Sequence, residues 1–524
     1  MTTGRPGIRH STVRLYFTGL PGGTYEATWG QREMWRTIAT HRPAGFYQLS
    51  QIIPVPADRT LDDVLEVVRR LVGRHESLRT TFVRHPGGRL SQVVHAEGSL
   101  PVHVREPAAA DRERATAESL VDTFMADEPL LDRDFALRAA VVTREGLGRY
   151  LVLVCSHVVL DGHSERVLSG EAKALLAADP AARDGCLPAN PHQPSGQALA
   201  ETSARSRRTS ARSVAYWRSV LLGAPESPFP YGPARGGGPV WCGRLSSASV
   251  AAAERELARS EGLSSGALYL SAVSRVLLRA FGRTAMMYRV PVSNRFDPAV
   301  DGYVGNLSQH TVVTVDASTG TFYELVRRVE RDLLRACVHA RYDPEELAGA
   351  LPGIEARRGA APELACLFND LRSPEAKRRD GAPGREPPAP GAAAGVSPEG
   401  ADGPDSQVTW SLLHARNSDI KLHARVAQSG DRPVVDIAAD VSYLPRRAIA
   451  DCLFAVERLL VRAARADIRL DAPGGSRAPG ARQGPEAPEG PPAPQGPEAP
   501  EDGARGRTDT SSLQAAWRWS ALMA

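Results

Sequence analysis

The chain has 524 residues, 42% of them hydrophobic, which is enough apolar material for more than one core and for two or more domains. Its 64 basic and 60 acidic residues leave a formal charge of +4, too even a balance for nucleic acid or an anionic membrane surface to be the main partner. No apolar stretch approaches the ~20 residues needed to span a bilayer, and residues 1–11 lack the apolar core of a signal peptide.

In chain order, the first clear element is a helix over residues 60–73. There Leu61, Val64, Leu65, Val68, Leu71 and Val72 recur at helical spacing, Thr60 and Asp63 make a capping-box start, and Gly73 lies near the end. Strand-like runs follow at 91–94, 137–143 and 150–155. The last two flank a turn around Gly146 and Gly148, so an antiparallel hairpin is expected to end at His157. A Pro-, Ser- and Arg-rich stretch at 188–212 breaks the pattern before a helix carrying Tyr216, Trp217, Val220 and Leu221, and is read as an interdomain linker. The second half alternates helices at 264–280 and 321–339 with strands at 286–292 and 311–315, again a mixed α/β organisation.

Two segments belong to no core. Residues 373–407 are dominated by Pro, Gly, Ala and charge, interrupt strand-like runs at 363–368 and 408–413, and are expected to form a disordered insertion. Residues 471–510 are similarly poor in apolar side chains, and the heptapeptide Gln-Gly-Pro-Glu-Ala-Pro-Glu occurs at 483–489 and again at 495–501, as in an extended linker. Beyond it, at 511–524, Leu513, Trp517, Trp519 and Leu522 are spaced for a short apolar helical face that could dock on this chain or on another.

The chemistry concentrates at Ser156-His-Val-Val-Leu-Asp-Gly162. It places an imidazole where a buried strand meets a loop, a suitable seat for acid/base work. Three apolar residues separate His157 from Asp161, so the carboxylate is read as bracing the loop. Buried, it needs a cation. His75 at a helix end is read as structural, and Cys155, which continues the apolar run, as an inert buried thiol. The six cysteines form no Cys-x-x-Cys pair, which argues against zinc and against a secreted disulfide scaffold and fits a reducing cytoplasm.

Taken together, Trp29-Gly-Gln-Arg-Glu-Met-Trp35, Arg74-His-Glu-Ser-Leu-Arg-Thr-Thr-Phe82, Ser156-His-Val-Val-Leu-Asp-Gly162, Tyr216-Trp217 and Val304-Gly-Asn-Leu-Ser308 resemble, in order, the blocks of condensation domains from nonribosomal peptide synthetases. The resemblance runs from about Arg14 to about Leu470, and its most specific block is Arg74 to Phe82. It implies an α/β fold of two chloramphenicol-acetyltransferase-like α+β sandwich lobes in a V with a central tunnel. The expected division is a flexible start (1–13), an N-terminal lobe with the histidine motif (14–187), the linker (188–212) and a C-terminal lobe (213–470).

By the same resemblance His157 is the catalytic histidine beside the nucleophile. Ser156, Asp161, Gly162 and Arg295 support the site, Gly162 and nearby amides are candidates for oxyanion donors, and His163 and Asn306 line the tunnel. Arg295 is the first choice of partner for Asp161, because Val290-Pro-Val-Ser-Asn-Arg295 resembles the block that supplies the family's structural arginine. Arg289 is the alternative, and the competing reading of either arginine is a solvated charge. Ser156 stands where the family carries its first histidine, and its hydroxyl keeps the capacity to hydrogen-bond the loop. No tightly bound cofactor or metal is implied. Substrates are expected on the phosphopantetheine of acyl or peptidyl carrier proteins, which are the expected partners, with docking through the C-terminal segment as a further option. The leading expectation is a freestanding cytoplasmic acyltransferase forming an amide between carrier-bound partners. The alternatives are an O- or N-acyltransferase with a diffusible acceptor, taking its donor from a carrier or coenzyme A, and a weakly active recruitment platform.

Overall fold

The computed structural model describes residues 9–40, 47–127, 130–189, 192–229, 237–318, 320–372, 406–414, 421–430 and 432–470. Most of the expected insertion and all of the expected C-terminal linker and helix lie outside the described residues. The first lobe runs β1 (Arg9–Phe17), β2 (Gly23–Glu26), α1 (Trp29–Thr40), β3 (Gln48–Pro54), α2 (Leu61–Arg74), β4 (Thr80–Arg84), β5 (Leu90–Val94) and β6 (Gly98–Glu106). It continues with α3 (Glu113–Ala126), β7 (Leu137–Arg144), β8 (Leu147–Ser156) and α4 (Gly162–Ala177). After α5 (Pro194–Glu201) and α6 (Ala204–Leu222) come β9 (Val240–Ser246), α7 (Ala248–Glu261), α8 (Ser265–Phe281), β10 (Ala285–Val292) and β11 (Gln309–Asp316). The chain then adds α9 (Phe322–Cys337), α10 (Pro344–Arg358), β12 (Cys366–Asp370), β13 (Gln407–His414), β14 (Leu422–Ser429), β15 (Arg432–Asp440) and α11 (Arg446–Ala463).

The N-terminal lobe is built on a five-stranded sheet of order β1-β6-β7-β8-β3, all antiparallel except β6 with β7. Alternation along β8 explains its continuous apolar run. Leu151, Leu153 and Cys155 join α2 and α4 in one core, while Val152 and Val154 join α3 on the other face. The Thr60–Asp63 capping box starts α2 as expected. The β7–β8 hairpin is also present, its turn made by Glu145 and Gly146, both at positive φ (53° and 78°), as a two-residue hairpin turn of the right twist demands. Gly148 lies instead within β8, where a Cβ would come 2.8 Å from Val64 Cγ2.

The stretch read as a linker, 188–212, is largely helical. Pro194 occupies the first turn of α5, where its missing N–H costs nothing, and Ser203 caps α6 by accepting the Ser206 amide at 3.2 Å. Residues that look like breakers in the sequence are therefore acting as helix starts. Through Ser195 with Glu76 and Gln193 with Arg74, α5 holds the first lobe, whereas α6 packs on α10 in the second.

The second lobe carries a seven-stranded sheet, β11-β10-β12-β14-β15-β9-β13. One face, with Tyr288, Phe368, Ala424 and Ile437, packs under α7, α8, α9 and α11. On the other, Met287 and Val312 pack against α6 and α10, and beyond them the face turns polar.

Two features hold the lobes together. Helix α1 reaches across to α10 through Arg32 with Asp343 (3.1 Å) and Arg36 with the Pro344 carbonyl (2.8 Å). The loop after β10 runs into the first lobe, where Val304 joins its core and its carbonyl accepts the Ser77 hydroxyl. Gly30 makes this approach possible, since a Cβ there would lie 2.3 Å from the Asn306 carbonyl oxygen. Gly30→Ala is therefore expected to push the 304–308 loop off α1, lowering turnover by about tenfold or more if the histidine shifts by ~1 Å. Steady-state kinetics beside a melting curve will check this.

Candidate active site

Strand β8 ends at Ser156 and helix α4 begins at Gly162, so the motif is the strand-to-helix connection of the first lobe. Ser156 is buried, and its Oγ accepts the Val158 amide at 3.4 Å, which supports the turn. His157 donates its backbone amide to the Tyr47 carbonyl at 2.8 Å. Asn306 Nδ2 donates to the His157 carbonyl at 2.8 Å and stands 3.5 Å from the ring Nδ1. The imidazole is thus held from two sides by backbone contacts.

Asp161 is the N-cap of α4, its Oδ1 accepting the Ser164 amide at 2.8 Å. Arg295 Nη2 lies 2.8 and 3.0 Å from its two oxygens, so the expected partner is the observed one. Neither side chain is accessible, at 3% and 0%. The Leu307 amide reaches Oδ2 at 3.0 Å, and Arg295 also donates to the Ser164 hydroxyl (2.7 Å) and the Val300 carbonyl (3.0 Å). Asn294, in the left-handed region at φ 56°, turns the chain out of β10 just before Arg295 and ties itself to the Leu307 carbonyl at 2.9 Å. Burial alone would raise the Asp161 pKa, but the Arg295 charge and the amides outweigh it and hold the carboxyl below its ordinary value.

His157 opens onto a cavity of about 390 Å³ walled by both lobes. Burial pushes the imidazole pKa below 6.5, against the loop carbonyls and Asp161 that pull it upward, so it is neutral at pH 7. Gly162 and His163 also line the cavity, His163 with its Nε2 3.0 Å from the Asp301 carbonyl. Asn306 does not line it. Expected on the tunnel wall, it is fully buried between His157 and the Ser308 amide, which it accepts at 2.9 Å. Its block turns inward because the two lobes share that loop.

Sequence reasoning missed the rest of the wall. Glu33 from α1 accepts from His310 Nδ1 (2.8 Å) and Gln309 Nε2 (3.0 Å) across the lobe junction. Burial opposes its ionisation, yet these bonds hold its pKa below the ordinary value. His423 and the neighbouring Asp370 and Arg372 come from segments far apart in the chain, and Arg289, the alternative partner for Asp161, lines the cavity instead. Glu33 lies within the Trp29–Trp35 block, but no spacing links it to His310. His75, on Glu171 at 2.6 Å, is structural as expected. Burial pushes the Cys155 thiol far above its ordinary pKa and leaves it inert.

A sequence profile described as "Condensation domain" matches residues 22–358. The chain belongs to the condensation-domain family. It is 29% identical over 332 residues to a probable non-canonical nonribosomal peptide synthetase, CymA, of Salinispora arenicola, covering 60% of this chain and 4% of that protein. Similarity to a linear gramicidin synthase of Brevibacillus parabrevis is 27% over 336 residues, 62% of this chain and 6% of that one. An isonitrile lipopeptide synthase of Mycobacterium tuberculosis is 27% identical over 331 residues, 59% of this chain and 13% of the relative. The chain therefore spans a small part of the length of these relatives.

Among solved structures, a condensation domain mediating chain release from the enacyloxin polyketide synthase superposes with a TM-score of 0.64 at 21% identity, covering 88% of this chain and 86% of that one. The first condensation domain of the calcium-dependent antibiotic synthetase gives 0.60 at 18% identity, over 86% and 98%. The fold is the two-lobed, chloramphenicol-acetyltransferase-like one.

For this condensation domain, Arg295→Met strands the Asp161 carboxylate in the interior and should cost about 3–5 kcal/mol in urea unfolding at pH 7, while Asp161→Asn with Arg295→Met, which removes the charge but keeps an acceptor oxygen for the α4 cap, should recover part of that loss. His75, His157 and His423 all have pKa values lowered by burial, so the unfolded chain takes up protons first as pH falls through about 6.5. Their contribution to stability should be full above that pH and decline toward pH 5, and denaturant titrations at several pH values will read the slope.

Proposed function

We propose that this chain joins an acceptor amine to an acyl or peptidyl group carried as a thioester on the phosphopantetheine of a carrier protein. The observation that carries the reading is the neutral, buried imidazole of His157, clamped at its backbone and facing a cavity between two lobes. The amine nitrogen attacks the thioester carbonyl carbon, the carbonyl electrons move to oxygen, and collapse of the adduct expels the thiolate. His157 accepts the proton lost by the amine and returns it to the sulfur. Because an α-amino group has a pKa of ~7.7–8.0, a good share of it is free base near neutral pH, and orientation carries much of the work. The amino end of α4, where Gly162 lines the cavity, is the candidate source of amides for the oxyanion. Asp161 and Arg295 act as positioning residues.

Acyl transfer to a diffusible acceptor is the second reading, favoured by Arg289, which lines the cavity with no partner for its Nε among the described residues. For a hydroxyl acceptor the proton must leave during attack, so His157→Ala should cost about 10²–10⁴ in kcat, and less for an amine. Purified acyl and aminoacyl carriers incubated with the protein should yield condensed product by mass spectrometry, and failure with every cognate pair would refute amide formation. The imidazole pKa lies below its ordinary value, so kcat/KM for an established pair, once corrected for protonation of the acceptor amine, should show no further fall until pH drops below about 6.5.

A further inference from the structure

The acids of the cavity are already engaged, whereas Arg289 and His423, the bases of its sheet wall, are not. Glu33 is taken by His310 and Gln309, and Asp370 by Arg372 Nε and Nη2, both at 2.9 Å. Arg289 makes no hydrogen bond or ion pair among the described residues, and its Nε is buried without a partner. His423 is 3% exposed and also lines the cavity, with an Nε2 that is buried and unpartnered.

The sheet register puts these two groups together. Arg289 of β10 is opposite Leu367 of β12, and Leu367 is opposite His423 of β14. Residues in register share a sheet face, so both side chains rise from the same face two strand spacings apart, about 10 Å between their backbones. Leu367 stands between them on that face and also lines the cavity, so a small ligand group would sit over Leu367 and meet Arg289 on one side and His423 on the other.

We propose that Arg289 and His423 form a carboxylate-binding subsite on the C-terminal-lobe wall of the cavity, so that the acceptor presented to His157 carries a free carboxylate. The proposal rests on the reading of this cavity as an acyl-transfer site. A carboxylate offers only acceptors, Arg289 offers a charged fork of donors, and a neutral imidazole offers one N–H. Burial, with Arg425, His310 and Arg289 around it, lowers the His423 pKa well below 6.5 and keeps the ring neutral. The subsite thus presents one positive charge and two kinds of donor. Buried polar atoms without partners are costly in a folded protein, and a ligand carboxylate would satisfy both. An amide in its place would bring no charge, and an added cation would be repelled.

The carboxylate could come from the α-carboxyl of an untethered amino acid or from an acidic side chain of an aminoacyl group on a carrier. Binding to this chain as a whole, measured calorimetrically without turnover, separates the two. One arm compares L-alanine with L-alaninamide, and the other the pantetheine thioesters of L-aspartate and L-asparagine. In at least one arm the acid is expected to bind about tenfold or more tighter than its amide, Arg289→Gln to abolish that preference, and Arg289→Lys to restore part of it. An unchanged melting temperature in Arg289→Lys keeps the comparison free of misfolding.

The proposal is overturned if neither arm distinguishes acid from amide, or if the preference survives in Arg289→Gln. An equal loss of both thioesters in that variant overturns it too, because Arg289 would then be reading the pantetheine arm. Carboxylate preference without condensation activity counts against the acyl-transfer reading alone, and condensation without carboxylate preference against the subsite alone.

Discussion

The Asp161–Arg295 pair is the contact on which the rest of the site depends. One carboxylate caps α4, binds a guanidinium from the other lobe and receives the Leu307 amide, so three chain segments meet on two oxygen atoms. A buried ion pair gains little net stability over well-packed apolar groups of the same volume, because desolvation consumes most of the attraction. Its effect here is geometric. It fixes the start of α4 and the 304–308 loop relative to each other, and Asn306 on that loop fixes the His157 backbone. An error at Arg295 is therefore transmitted to the imidazole through two hydrogen-bonded links.

Burial is the second organising force, and it acts on the histidines in one direction. The rings of His75, His157 and His423 all have lowered pKa values, but their surroundings differ. His75 gives its Nε2 to Glu171, and its other ring nitrogen is buried away from the cavity. His157 has its backbone secured and its ring open to the cavity. For His423, Arg289 and Arg425 supply positive charge nearby, and its Nε2 has no partner among the described residues. One residue type thus serves as a structural partner, a candidate base and a candidate ligand donor according to which neighbours satisfy it.

Where local chemistry dominates, the sequence was legible. Thr60 with Asp63 marks a helix start because the capping box closes within four residues, and a glycine-containing turn at Gly146 between two apolar runs marks a hairpin because the turn and the pleat are both short-range. The stretch read as a linker, 188–212, is largely helical for the same local reason. Proline and serine break a helix in its interior but begin one at its first turn and cap, and only the contacts of α5 and α6 with opposite lobes decide which role applies. Asn306 was misplaced because a loop that leaves one lobe to complete the core of the other turns its side chain inward, and no local signal reports that.

By itself the sequence determined the main elements, the histidine motif and the need of a buried Asp161 for a cation. Its ordered blocks, by their likeness to a two-lobed family, added the fold and Arg295 as that cation. These rest on periodicity, capping, charge compensation and motif order, all of which are written along the chain. Only the tertiary structure decided that Glu33 would pair with His310 while Arg289 and His423 were left in the cavity with unpartnered nitrogens. Which charges find partners depends on strands brought into register from residues 289, 367 and 423, and register is set by whole-sheet packing rather than by any residue's neighbours in the chain.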